Sequence, residues 1–232
     1  MRPIVNRFKD ADGVATGAAE AIVARITELL ASQDVVNLVV TGGTVGILTL
    51  AKLREISFDW SHVHVWWGDE RFVEKASGDR NELQARNAWL AHIEIPAENL
   101  HPFPASDEGI SLDDAAAAFR GAVTGVRFDI LLLGIGPDGH VASLFPGHSA
   151  EGELVVAEHN SPKPPPQRLS LSYDAINSAR EVWFTVAGAD KADAVSVAFG
   201  DDPASLPVGR VRGVERTVWF VDATAGVTTW GC

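Results

Sequence analysis

An imidazole beside a carboxylate is the most reactive arrangement this sequence spells out. In Gly134-Ile135-Gly136-Pro137-Asp138-Gly139-His140, Asp138 stands two residues before His140 in a segment crowded with glycine. Imidazole titrates near neutrality and can both take and return a proton, and a nearby carboxylate can fix which ring nitrogen carries it. The spacing points to His140 as a general base with Asp138 orienting it. A second cluster, Gly68-Asp69-Glu70-Arg71-Phe72 with Arg80 and Asn81 beyond it, sets a guanidinium among carboxylates. Such a group can meet an anionic ligand while the carboxylates orient it, or it can be a surface ion-pair knot. A third, Thr41-Gly42-Gly43-Thr44-Val45-Gly46, joins paired glycines to the start of a helix. It can be a plain tight turn, or a place where free N–H groups and the positive end of the helix dipole hold a phosphate. Arg168, after a proline-rich stretch, and Lys191, opening a helix, add cations at loop ends. In an acidic protein these suggest a local anion pocket.

Several other chemistries lose their support. Gly134, Gly136 and Gly139 form a literal G-x-G-x-x-G, with Glu158 about twenty residues further on. A dinucleotide site needs a long helix opening at those glycines, however, and Pro146-Gly147 would stop it early. No G-x-S-x-G elbow and no Walker G-x-x-x-x-G-K-[ST] occurs, which removes the main marks of a serine hydrolase and a P-loop NTPase. His62 and His64 lack a third ligand at metal-binding spacing. His92, His101, His148 and His159 read as loop or surface residues. Of the seven tryptophans, Trp66 and Trp67, beside the Asp-Glu-Arg cluster, stand where they could wall a pocket.

The elements that must position these residues follow from periodicity. Ala15, Ala18, Ala19, Ile22, Ile26, Leu29 and Leu30 recur at helical intervals and predict a helix over 12–31. Asn37 to Thr41 is an apolar run suited to a doubly buried strand, followed by a helix from about Thr44 to Leu53. His62 to Trp67 predicts a strand and Asp79 to Ala91 a helix. Ser111 with Asp114 resembles a capping box ahead of a helix through Ala115 to Ala118. Strands are expected at Phe128–Leu133, Val182–Val186 and Val218–Val221, with a helix over about Asp190 to Phe199. Ser161-Pro162-Lys163-Pro164-Pro165-Pro166 reads as a rigid surface connection. This alternation predicts an α/β fold, a Rossmann-like, mostly parallel sheet with helices on both faces, in one domain over residues 1–232. Ligands of such sheets sit beyond the carboxyl ends of the strands, where the three clusters fall.

Composition is consistent with that. The chain has 232 residues, 46% hydrophobic and 22% charged, enough apolar content for a folded core. Nineteen Lys and Arg against 31 Asp and Glu leave a net charge of −12, which repels nucleic-acid backbones and anionic lipid. The single cysteine, Cys232, permits no intramolecular disulfide and no Cys-based zinc site. With no apolar run of membrane-spanning or signal-peptide length, a cytoplasmic protein is expected.

Taken together, Thr41–Thr44, Trp67–Arg71, Gly134–Pro146, Arg168–Leu171 and Gly188–Lys191 occur in the order and approximate spacing of the 6-phosphogluconolactonases, and the chain resembles that family over nearly its whole length. The third motif is the most specific. Related glucosamine-6-phosphate deaminases share the Asp-Gly-His but continue with a Phe-Asn-Glu-Pro type sequence where this chain has Ala142-Ser143-Leu144-Phe145-Pro146. The resemblance implies hydrolysis of 6-phospho-D-glucono-1,5-lactone in the oxidative pentose phosphate pathway, with no organic cofactor; no residue is assigned as a metal ligand. It further implies catalytic roles for His140, Asp138 and Arg71, and substrate or phosphate contacts from Gly42, Gly43, Thr44, Asp69, Arg168 and Lys191. The expected partner is a small sugar phosphate, with no nucleic acid, membrane or obligate protein partner. One departure stands in the first loop, where the family often has Gly-Gly-Ser-Thr-Pro and this chain has Gly43-Thr44-Val45-Gly46. The backbone donors survive that change; a second hydroxyl does not. A deaminase or isomerase on the same fold, and a noncatalytic sugar-phosphate sensor, are the competing readings.

Overall fold

The apolar runs pair into a parallel sheet whose carboxyl ends carry the polar clusters. In this computed structural model residues 2–148 and 153–226 are described; Cys232 lies outside them. In chain order they form β1 (Ile4–Phe8), α1 (Ala11–Leu30), β2 (Val36–Val40), α2 (Gly43–Leu53), β3 (Val63–Trp67), β4 (Asp69–Arg71), α3 (Asn81–Ala88) and β5 (Leu100–His101). There follow α4 (Leu112–Val123), β6 (Ile130–Leu133), β7 (Val155–Glu158), β8 (Arg168–Leu171), α5 (Tyr173–Ser178), β9 (Glu181–Val186), α6 (Ala192–Ala198) and β10 (Arg216–Asp222). The main sheet runs β1-β10-β9-β6-β2-β3-β5 with every pair parallel. The order reverses between β6 and β2, so the crevice expected of such sheets opens between Gly42 and Gly134.

Every residue of β6 and β9 is buried, as a sheet covered on both faces requires. α1 buries Val14, Ala15, Ala18, Ala19, Ile22, Ile26 and Leu29 on one stripe, and each large aliphatic among them contributes about 1.5–3 kcal/mol. Its start is capped by Asp10, whose carboxylate accepts from Gly13 N at 3.0 Å. α4 begins as expected, with Ser111 Oγ accepting from Asp114 N; that hydroxyl also donates to the Asp114 carboxylate at 2.7 Å, so the residue-114 side chain does not reach back to the backbone as in a full capping box.

The differences from expectation have local causes. The helix expected over 79–91 is α3 alone, because Trp89 leaves helical geometry at φ −141° and a short 3-10 turn follows. The last helix likewise starts as a 3-10 turn at Ala189–Lys191 before α6. A second, antiparallel sheet, β4-β8-β7, was not expected: it joins the Asp-Glu-Arg cluster to Arg168, far along the chain, with Arg71 paired to Arg168 and Asp69 to Ser170. Trp66 and Trp67 do not wall a pocket. Both are buried, and Trp66 stacks on His101 at 3.9 Å between centroids. His101 is thus a strand residue of β5, bonded to His64 at 2.8 Å, rather than a loop or surface histidine. No helix is long and apolar enough to cross a membrane among the described residues.

Candidate active site

The site sits where β2, β6 and β9 end, beside β4 and the start of β8. A cavity of about 250 Å3, lined by Gly42, Asp69, Arg71, His140, Lys163 and Arg168 among others, adjoins one of about 530 Å3 that reaches Thr44, Gly188 and Lys191. His140 and Lys163 line both.

The loop after β6 shapes the reactive pair. Gly136 N donates to His140 O and Gly139 N to Gly136 O, closing a tight turn that turns Asp138 and His140 toward each other. Asp138 Oδ1 and His140 Nδ1 are 2.5 Å apart. A Cβ at position 136 would stand 1.9 Å from that ring nitrogen and 2.3 Å from that oxygen, so only glycine admits the pair. Nδ1 donates to the carboxylate and Nε2, with no partner among the described residues, remains the basic nitrogen. Burial holds the His140 imidazole below its ordinary value, with Lys163 adding to that and Asp138 and Asp69 opposing it. Burial would raise the Asp138 carboxyl, but the bond and charge of His140, with Lys163, leave it below the usual range. Phe145 closes one side of the ring at 4.9 Å between centroids. Ala142, at φ 49°, takes the left-handed conformation rare for a residue with a side chain, and so bends the chain back toward Ser143.

Asp69 and Glu70 are buried and Arg71 is half-buried, so the Asp-Glu-Arg cluster is not a surface knot, and each of its members does something different. Asp69 accepts from Ser143 Oγ at 2.7 Å and from Asn81 Nδ2 at 3.2 Å, which ties the β6 loop to β4. Glu70 turns away from the cavity. Its carboxylate accepts from the backbone N–H of Arg71, Asn81 and Glu82 at 2.8, 2.6 and 2.9 Å, capping α3 from outside the helix. Arg71 donates to Asn81 Oδ1 and lines the cavity. A Cβ at Gly42 would meet that same Asn81 oxygen at 2.1 Å, so the glycine of the first loop makes room for the arginine's partner. Arg80 serves structure: its guanidinium donates to Phe103 O at 2.8 Å.

Arg71 and Arg168 lie directly opposite on β4 and β8 and line the same cavity. Like charges at such positions repel, and burial together with Arg71 lowers the Arg168 guanidinium's affinity for its proton. An anion between them relieves that repulsion. Arg168 is only partly free for a ligand, since its Nε donates to Pro165 O at 2.7 Å and its Nη2 to Lys163 O and Pro164 O at 3.1 Å. Lys191 lies on the larger cavity, 2.9 Å from Asp190. Gly43 and Thr44 begin α2 there with no side-chain cap, leaving first-turn N–H groups available. The structure therefore brings eight of the nine expected residues to the lining of two adjoining cavities, and the ninth, Asp138, is bonded to His140. Three contributors were missed: Lys163, whose proline loop folds over the cavity instead of merely connecting strands, Ser143, and Glu70 in its capping role.

Among the described residues no three His, Cys, Asp or Glu side chains converge as a metal site. A glucosamine-6-phosphate isomerase/6-phosphogluconolactonase family model matches residues 9–219. A 6-phosphogluconolactonase of Mycobacterium leprae is 42% identical, over 97% of this chain and 98% of that protein. One from Streptomyces coelicolor is 39% identical over 94% and 91%. The crystal structure of a Thermotoga maritima 6-phosphogluconolactonase superposes with a TM-score of 0.87 at 29% identity, covering 95% of this chain and 100% of that one. By motif, by sequence and by fold, this chain belongs to the glucosamine-6-phosphate isomerase/6-phosphogluconolactonase family.

Proposed function

We propose that this protein hydrolyses 6-phospho-D-glucono-1,5-lactone to 6-phospho-D-gluconate, in the cytoplasm, as a step of the oxidative pentose phosphate pathway. The observation that carries the reading is the oriented His140–Asp138 pair in a cleft ringed by Arg71, Arg168 and Lys191. Nε2 of His140 takes a proton from water as the water oxygen bonds to the lactone carbonyl carbon. The carbonyl oxygen becomes an oxyanion, and Arg71 offsets its charge. When the carbonyl re-forms, the bond to the ring oxygen breaks and Nε2 returns the proton to that oxygen, which leaves as a hydroxyl. The new carboxylic acid then loses its proton to solvent. Asp138 stabilises the transient imidazolium and fixes its tautomer. Gly42, Gly43 and Thr44, with Lys191 and the free edge of Arg168, hold the phosphate, and Asp69 keeps the β4 side in register. Binding energy from the remote phosphate positions the lactone for attack.

The test is acid release from lactone generated enzymatically, compared with and without the protein, because the lactone also opens spontaneously. His140→Ala is expected to lower kcat by roughly 10²–10⁴-fold. A variant turning over at the parent rate removes His140 from the mechanism. Ammonia release from glucosamine 6-phosphate would instead assign the deaminase reaction of the same family.

A further inference from the structure

A lysine outside the motifs that carry the family resemblance completes the surroundings of the reactive pair. Lys163 Nζ lies 3.2 Å from His140 Nδ1 and 3.5 Å from Asp138 Oδ1. Nδ1 spends its hydrogen on Asp138 and has no lone pair to offer, so the ammonium acts on the imidazole as a charge rather than as a donor. Its place is built rather than incidental. Ser161 Oγ accepts from Lys163 N at 3.2 Å and donates to Lys163 O at 3.0 Å, and Ser161 N donates to Pro166 O at 2.9 Å. Prolines at 162, 164, 165 and 166 restrict the rest of the segment. The buried Arg168 directs three guanidinium bonds to the carbonyls of Lys163, Pro164 and Pro165. An arginine so used fastens a loop.

We propose that Lys163 is a positioning residue for this pair: its ammonium, delivered by the loop that Arg168 clamps, holds Asp138 ionised and keeps the proton off Nε2 of His140, so that the base is free at neutral pH. The proposal rests on the reading of His140 as the base. The other charges facing the ring do not supply this. Asp138 on its own loop and Asp69 on β4 both favour the protonated imidazole. Arg71 and Arg168 line the smaller cavity, and Lys191 with its partner Asp190 the larger one, but none of the four is hydrogen-bonded or ion-paired to the ring. Without Lys163 two carboxylates would act on one imidazole, and a protonated imidazole cannot accept a proton from water.

The titration of the His140 ring, followed by NMR in substrate-free protein and assigned by its absence in His140→Ala, tests this. In Lys163→Gln the midpoint is expected at higher pH than in the parent, and in Lys163→Arg at the parent's position. The acid limb of kcat/KM should move the same way. Lys163→Met repeats the measurement with a different neutral side chain should the glutamine variant fold poorly. Arg168→Lys keeps the charge but loses the fork, and should move the midpoint in the same direction by less. Equal midpoints in parent, glutamine and methionine variants overturn the proposal, and a midpoint indifferent to Arg168→Lys overturns the clamp. No turnover is needed for these readings. A shifted midpoint in a protein without lactonase activity upholds Lys163 and rejects the proposed reaction, whereas an unshifted one in an active enzyme does the reverse.

Discussion

On the β4–β8 side of the cleft nearly every polar side chain is held by another buried group, whereas the α2–α6 side presents backbone N–H groups and one lysine. Asp69 is gripped by Ser143 and Asn81, Arg71 by Asn81, Arg168 by three carbonyls, and Glu70 by three backbone N–H groups. Opposite them, α2 has no side-chain cap, and Lys191 pairs with Asp190, whose side chain is 60% exposed. The contrast separates two tasks. Proton transfer tolerates little misplacement, and a fixed network supplies the geometry before substrate arrives. Gripping a phosphate needs charge and open N–H groups, which a helix start provides without further support.

The largest effect should come from the β6 loop, which the Ser143–Asp69 bond ties to that fixed side, at its tightest point. Gly136→Ala places a Cβ where the His140 and Asp138 side chains meet. The pair must separate, and kcat is expected to fall by about 10²–10⁴-fold, as for loss of the base itself. The substitution adds one methyl group in a loop outside the sheet, so thermal unfolding should change little by comparison. A Gly136→Ala enzyme with the parent kcat would show that the pair need not be in contact.

Glu70→Gln sharpens the same side at one remove. The glutamine keeps one acceptor and turns an amide N–H toward groups that are themselves donors, which is expected to cost about 1–3 kcal/mol of stability. Arg71 and Asn81, no longer fixed by that carboxylate, should lower kcat/KM by less than Gly136→Ala does. A pH dependence accompanies it. Burial pushes the Glu70 carboxyl up from 4.5 to about 7, against the pull of Arg80 and the three N–H bonds. Between those values the folded state keeps a proton that the unfolded chain releases, so the parent loses stability as pH rises through that window. Above about 7 both states are ionised and the loss is complete. Glutamine cannot titrate, and the stability of Glu70→Gln minus that of the parent should therefore rise from pH 4.5 to about 7, measured by denaturant unfolding. A flat difference would place the carboxyl's titration outside this range.

The two sides were also unequally legible in the sequence. Leu38, Val39 and Val40, or Ile130 to Leu133, announce buried parallel strands because nothing polar interrupts them. His140 and Asp138 were legible because they are two residues apart in one loop, and the α2 glycines because their partner is the helix that follows. The β4–β8–β7 sheet was not, since Asp-Glu-Arg, Arg-Leu-Ser-Leu and Val-Val-Ala-Glu carry no shared periodicity, and β4 pairs with β8 across a long separation in the chain. Edge strand β1, Ile-Val-Asn-Arg-Phe, is short and shows no apolar–polar alternation, so it does not stand out. Glu70 reads as one more ligand-facing carboxylate until α3 is folded against it. Lys163 sits in a proline run with no period at all, and only its contact 23 residues back along the chain reveals it.

The smallest expected effect lies on the open side. Lys191 contributes a charge to the phosphate that Asp190 already partly occupies, and binding must first compete with that pair. Its bond to Lys191 lowers the Asp190 carboxyl, which stays ionised at neutral pH and keeps competing. The net worth of Lys191 to binding is therefore set at about 1 kcal/mol, and Lys191→Ala should raise KM roughly fivefold with kcat nearly unchanged. Asp190→Ala should do the opposite, freeing the ammonium and lowering KM. Both effects should shrink as salt is added, because Asp190 is exposed and Lys191 only half-buried. Steady-state kinetics at two ionic strengths separate the outcomes: a fall in kcat matching the rise in KM would mean that the phosphate grip also aligns the reacting carbon, and the division between a fixed catalytic side and an open binding side would fail there.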